Sequence, residues 1–200
     1  VAGDNTDAKI WNLRLRYAGP VSVRADYGKK YSQSAVAGPT IPGTRSGFKV
    51  SIAWKYVPAA QITLLLANQK RDSASAVAGF TAAGDNVGQN MWGLNWEHTF
   101  GNVQALAQYG RLGKISGCRE SIGAVAGISG STCAETESAA YLVGVRYLFS
   151  ARTAIYTTYV RVNNRANQNA DSSAAGFSSA STLAAGGDPT VWALGIVHNF

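Results

Sequence analysis

The residues best suited to chemistry in this chain are charged side chains set two apart in stretches that otherwise alternate apolar and polar. Arg14 and Arg16 flank Leu15, Arg24 and Asp26 flank Ala25, and Lys49, Lys55, Glu97 and Arg146 recur in similar settings further along. In an extended chain, period-two spacing puts such residues on one face. A surface carrying them in rows holds a fixed positive field, which concentrates anions and repels cations. Screening over about 8 Å at physiological salt works against that field, so a merely solvated charged wall is the alternative reading. Catalysis finds less support. His98 and His198 are the only histidines, and no Ser–His–acid set, phosphate loop or metal-ligand spacing accompanies them. No enzyme activity, cofactor or metal is expected. Cys118 and Cys133 lie in a Gly/Ser/Ala-rich stretch without further ligands. This favours a loop disulfide formed in an oxidising compartment over two free thiols.

The elements that would position these side chains follow from composition and period. Apolar residues make up 46 % of the chain but charged residues only 14 %, against about a quarter charged in a soluble domain. No apolar run approaches the roughly 20 residues of a spanning helix. Low charge, 22 glycines, five Trp, nine Tyr and six Phe suit a transmembrane antiparallel β-barrel, whose apolar residues are spread along alternating strands. Trp11, Leu13, Leu15 and Tyr17 share one face, as do Val23, Ala25 and Tyr27, and Phe48, Val50, Ile52, Trp54 and Tyr56. Ile62, Leu64 and Leu66 continue the pattern, followed by Trp92 to Phe100, Val103 to Tyr109, Tyr141 to Phe149, and Trp192, Leu194, Ile196 and Phe200. The faces of Thr153–Val162 are too alike to assign. About nine strands result. The formal charge of +7 would suggest nucleic acid as a partner of a soluble protein; in a barrel the facing decides, and no nucleic acid is expected.

Breaks between strands are of two kinds. Short turns fall near 19–20, 58–60, 101–102 and 150–152, and long Gly/Ser/Ala/Asn-rich loops near 32–46, 71–89, 114–138 and 164–189. Short periplasmic turns and long extracellular loops characterise outer-membrane barrels. Aromatic residues gather towards both rims, as amphipathic rings do at headgroup level. With the apolar faces in lipid, the other faces line water. An Arg or Lys turned to lipid near the midplane would cost about 2–4 kcal/mol. The expected lumen residues are therefore Arg14, Arg16, Arg24, Asp26, Lys49, Lys55, Glu97 and Arg146, with anion preference. The first and last strands both end at the short-turn rim, giving an odd count, whereas a bacterial barrel closes with an even one. The expectation is that an N-terminal section precedes these strands.

At the C-terminus, Gly195-Ile-Val-His198-Asn-Phe200 resembles the Gly-x-x-His-x-Phe ending of β-proteobacterial general porins. Tyr141 to Tyr159 looks like their penultimate hairpin, with Phe149 and Ala151 departing slightly from its turn. The motif covers about the last 60 residues; the rhythm covers the whole chain. The resemblance implies that residues 1–200 are the C-terminal part of one sixteen-stranded porin barrel in the Gram-negative outer membrane. The N-terminal strands and the inward-folded constriction loop would lie outside it. It further implies a homotrimer, passive diffusion of small hydrophilic or anionic solutes, and contact with outer-membrane lipid. Trp192, Leu194, Ile196 and Phe200 would form the signal read by the barrel-assembly machinery. The competing reading, from a different class, is a structural or adhesive barrel whose extracellular loops bind a partner.

Overall fold

The computed structural model describes residues 9–32, 43–73, 86–117, 134–170 and 183–199. Cys118, Cys133 and Phe200 lie outside them. Nine strands occur among the described residues: β1 (Lys9–Tyr17), β2 (Val21–Ser32), β3 (Gly43–Val57), β4 (Ala60–Ser73), β5 (Asn86–Phe100), β6 (Val103–Leu112), β7 (Ser138–Leu148), β8 (Thr153–Asn164) and β9 (Thr190–His198). They form one sheet in sequence order, every neighbour antiparallel. No helix among these residues is long and apolar enough to cross a membrane.

Register carries the two-faced pattern across the sheet. Residues directly opposite one another in an antiparallel pair share a face. Leu15 meets Ala25, Ala25 meets Val50, Val50 meets Leu66 and Leu66 meets Trp92. Further on, Ala107 meets Val143, Val143 meets Tyr159 and Tyr159 meets Trp192. The apolar side chains thus form one band from β1 to β9, and they project outward: Leu194 is 76 % and Ile196 72 % exposed. A soluble monomer rarely shows an apolar patch beyond a few hundred Å², so this band needs lipid. The eight residue steps from Trp92 to Phe100 in β5 cover about 27 Å of strand at ~3.4 Å each. At a tilt of about 40° this is roughly 20 Å of height, close to the apolar band of an outer-membrane barrel.

The opposite face is concave. A hollow of about 600 Å³ is lined on it by residues as far apart as Arg24, Lys49, Thr63, Gln108, Leu142 and Val160, on six different strands. Short connections close the hairpins at one rim. Phe100 pairs with Val103 across Gly101-Asn102, and Gly101 takes φ 57°, the left-handed conformation that a tight hairpin favours and that glycine adopts without Cβ strain.

Two differences from the sequence reading have physical reasons. β3 begins at Gly43 rather than near Phe48, and β5 at Asn86 rather than near Trp92. The ladder needs only paired backbone groups, so polar residues continue the strands beyond the apolar band. Trp92 consequently lies well inside β5 rather than at its end. In β8 register settles what alternation could not: Ile155, Thr157 and Tyr159 oppose Ile196, Leu194 and Trp192 on the outer face.

Candidate functional site

The first three strands gather the charges. Arg14 stands opposite Asp26, and Asp26 opposite Lys49; Arg16 stands opposite Arg24. All five are on the concave face. Arg14 Nε donates to Asp26 Oδ1 at 2.5 Å, and Arg24 Nε donates to Asp26 Oδ2 at 2.7 Å. A second Arg24 nitrogen, Nη2, reaches Asp26 Oδ1 at 3.4 Å. One carboxylate therefore organises two guanidiniums. Four cations (Arg14, Arg16, Arg24, Lys49) against that one carboxylate leave three positive charges on a patch of three strands. Like charges placed directly opposite destabilise a sheet, so the Arg16–Arg24 pair needs solvent or counter-ions around it.

The remaining sequence candidates stand apart from this cluster. Glu97 lies on the concave face between Gln61 and Leu106. Arg146 lies there between Gln104 and Tyr156. Lys55 falls where the β3–β4 register shifts between Trp54 and Val57, so strand alternation does not assign its face. Sequence reasoning missed two further cations. Lys30 and Arg45 are directly opposite each other on the concave face, nearer the long-loop rim. They line a second hollow of about 720 Å³ with Asn12, Gln69, Gln89 and Gln168. Arg45 falls in a stretch whose composition reads as loop; its signal is its even-numbered spacing from Lys49, which becomes legible once β3 is known to start at Gly43.

Further round the concave face the chemistry changes. Leu106, Leu142, Val160 and Val162 replace the charges, in register with Gly144, Gln108, Val191 and Ala140. Gly144 is buried, and a Cβ there would come within 2.9 Å of Thr158 Cγ2 and 3.2 Å of the Thr157 carbonyl oxygen. At the long-loop rim, Thr136 is fully buried. Its Oγ1 accepts the Ile115 N–H at 2.9 Å, and its carbonyl accepts from Gln168 Nε2 at 3.0 Å. These bonds fold residues 165–170 over the upper hollow.

The terminal strand presents Trp192, Leu194 and Ile196 on the outer face, all strongly exposed. The glycine of the terminal motif has a steric reason. Gly195 opposes Tyr156 on the inner face, and a Cβ at Gly195 would meet the phenol oxygen at 2.5 Å. Both histidines sit on the outer face near the short-turn rim. His98 stacks on Phe100 with centroids 3.9 Å apart and shares a 3.0 Å hydrogen bond with the Tyr56 hydroxyl, which also accepts Trp96 Nε1–H. His198 Nδ1 lies 2.8 Å from Thr153 Oγ1. Among the described residues, no group of three or more His, Cys, Asp or Glu is placed to hold a metal.

A family model described as Gram-negative porin matches residues 1–167. No curated protein matches. Among solved structures, the anion-selective porin from Comamonas acidovorans is similar at TM-score 0.66 and 18 % identity, over 96 % of this chain and 49 % of that one. The trimer form of in-vitro folded OmpT, an outer membrane protein of Vibrio cholerae, is similar at TM-score 0.60 and 14 % identity, over 80 % of this chain and 47 % of that one. The chain spans about half the length of each.

Proposed function

Because this chain belongs to the family of Gram-negative porins, proteins of the bacterial outer membrane, we propose that it forms part of the wall of a water-filled channel for passive diffusion of small hydrophilic solutes, with preference for anions. The observation that carries this reading is the separation of chemistry by face. An apolar band runs unbroken across nine strands on one side, and the Arg14–Arg16–Arg24–Lys49 cluster stands on the concave other side. Lipid fits the first surface and water the second.

On this proposal, residues 1–200 are the C-terminal part of a single barrel. β1 and β9 each have one neighbour in the sheet, and a sheet edge in lipid needs a partner. Seven further strands would give sixteen. Arg14, Arg16, Arg24 and Lys49, with Asp26 as their organiser, set the anion preference; Arg146 adds to it singly, Glu97 offsets it locally as acidic company, and Lys55 stands at the short-turn end. The solved relative from Comamonas acidovorans is anion-selective and that from Vibrio cholerae is a trimer. Both descriptions support carrying the same properties to this chain. Trp192, Leu194, Ile196 and Phe200 serve as the signal for the barrel-assembly machinery, and Cys118 and Cys133 pair as a loop disulfide. The family is one of channels, and no catalytic role is assigned.

Recording the full-length purified protein in a planar lipid bilayer tests the proposal. Stable open channels with closures in steps of three are expected. A correctly folded protein that never conducts would overturn it and favour a structural or adhesive role.

A further inference from the structure

Glycine weakens a strand interior, because it has most backbone freedom to lose and no side chain to pack. On the concave face, most of the described strand glycines have a steric reason. A Cβ at Gly28, Gly47, Gly144 or Gly195 would come within 2.9 Å of a neighbouring atom. Gly93 is snug as well, with the Tyr109 carbonyl oxygen 3.3 Å from its added Cβ. Gly110 differs: a Cβ there would meet nothing within 4 Å. Its φ is not left-handed, and the register on both sides of it runs without a bulge. Of the usual reasons for a strand glycine, close approach of another group to the backbone remains.

Gly110 lines the concave hollow of about 600 Å³. One register row crosses that hollow, from Arg24 on β2 through Leu65 on β4 to Gly93, Gly110 and Ala140, ending at Val162 on β8. The middle of the row is nearly bare backbone, so it forms a floor between two unlike walls. One wall holds Arg24 and Lys49, both exposed, with Asp26 as the only carboxylate of the lining among the described residues. Both oxygens of Asp26 are engaged by the Arg14 and Arg24 guanidiniums, which leaves Lys49, opposite it, to meet an anion. On the other wall Leu142 and Val160 oppose each other, half-buried, with apolar surface turned to the lumen. Thr63, Asn95 and Gln108 edge the floor on its short-turn side and carry no charge. From Lys49 on β3 to Gly110 on β6 is three strand steps, about 14 Å along the sheet. An extended lysine and a solute of one ring with a short acid arm cover that span.

A small inorganic anion would use only the first wall, and a neutral apolar solute only the second. We propose that the hollow is a subsite for amphiphilic organic monoanions, carboxylates that carry an aromatic ring or a short alkyl chain. The carboxylate meets Lys49 and Arg24, and the apolar body lies on the Gly93–Gly110 floor against Leu142 and Val160. The proposal rests on the channel reading and deepens it by naming a solute class that the lumen holds in passing. Binding there is weak, since a diffusing solute has to leave as well as enter.

The test records chloride current through the full-length protein in a planar bilayer with three probes. They are 3-phenylpropionate, propionate, which lacks the ring, and 3-phenylpropionamide, which lacks the charge. Phenylpropionate should half-block the current at roughly a tenth of the propionate concentration, the gain from about 60 Å² of apolar surface leaving water. The amide should block far less well than phenylpropionate. Gly110→Val adds a side chain where a Cβ has open space, and Leu142→Gln makes the far wall polar. Each should bring phenylpropionate to within about twofold of propionate, because the apolar contact is lost. Equal block by phenylpropionate and propionate, equal block by the amide, or unchanged block in both variants would overturn the subsite and leave the channel reading standing. Saturation-transfer NMR on the protein in lipid nanodiscs reads the same comparison without conduction. Ring-proton transfer that is lost in Gly110→Val, in a protein that never conducts, would overturn the channel reading alone; transfer no greater than in empty nanodiscs would overturn the subsite.

Discussion

On the concave face, β1 to β3 carry Arg14, Arg16, Arg24, Asp26 and Lys49, whereas β6 to β8 of the same sheet carry Leu106, Leu142, Val160 and Val162. The outer faces of both regions are equally apolar, with Leu13 and Leu15 at one end and Val143 and Val145 at the other. The comparison separates two roles that strand alternation would otherwise merge. Turning apolar groups to lipid is required of every strand. On the proposed function, charging the lumen is required of none, so charge is free to be placed where it would act on solutes. β6 to β8 line the same concave face with apolar groups instead, and only at Gly144 do Leu106 and Thr158 approach closely across it.

The comparison breaks most visibly at two adjacent residues of β7. Val143→Arg puts a cation on the outer face near mid-strand and should cost about 2–4 kcal/mol, seen as loss of the heat-resistant folded band on a gel. Leu142→Arg, one residue earlier, faces the lumen and should fold with a change of less than about 1 kcal/mol, typical of solvated positions. If both variants failed alike, the apolar inner strip of β6 to β8 would not be solvated wall. Gly144→Val comes next: overpacking against the Thr157 backbone and Leu106 should cost about 1–3 kcal/mol, read as a lower denaturation midpoint. Gly28→Val in β2 should be milder, since the atom nearest its added Cβ is the mobile Asn12 Oδ1.

Smaller effects test the charge itself. A unit charge about 8 Å from an ion is worth roughly 0.5 kcal/mol in water before screening, about a twofold change in local anion concentration. Arg14→Gln with Arg24→Gln should therefore lower the chloride-to-potassium permeability ratio severalfold in dilute salt, and Arg146→Gln, which removes a lone charge on β7, by less. Asp26→Asn should raise that ratio slightly, because it removes the carboxylate that offsets Arg14 and Arg24. All three differences should shrink towards zero near 1 M salt, where the Debye length falls to about 3 Å.

The same contrast explains how much could be read before the structure. In β1, β2, β3, β5 and β7 the two faces differ in chemistry, so period two reveals strand, facing and site together. Arg14, Arg16, Arg24, Asp26 and Lys49 were legible for that reason. In β8 both faces are β-branched or aromatic, because its inner residues Val160 and Val162 pack in the apolar region; the pattern was silent there and only pairing partners assigned it. Strand ends were illegible in β3 and β5, where the ladder runs on through Gly43–Gly47 and Asn86–Met91 with no lipid to impose a period. That hid Arg45, and with it the cross-strand pairing that sets Lys30 beside a second cation. The Gly195–Tyr156 contact was hidden differently, since two motif residues 39 positions apart meet only through the β8–β9 register.

The most direct measurement is the reversal potential of the full-length protein in a bilayer separating concentrated from dilute potassium chloride. The account predicts the sign set by chloride passing more readily than potassium, with the preference weakened in the Arg14→Gln/Arg24→Gln variant. A potential of the opposite sign, with potassium favoured, would contradict it.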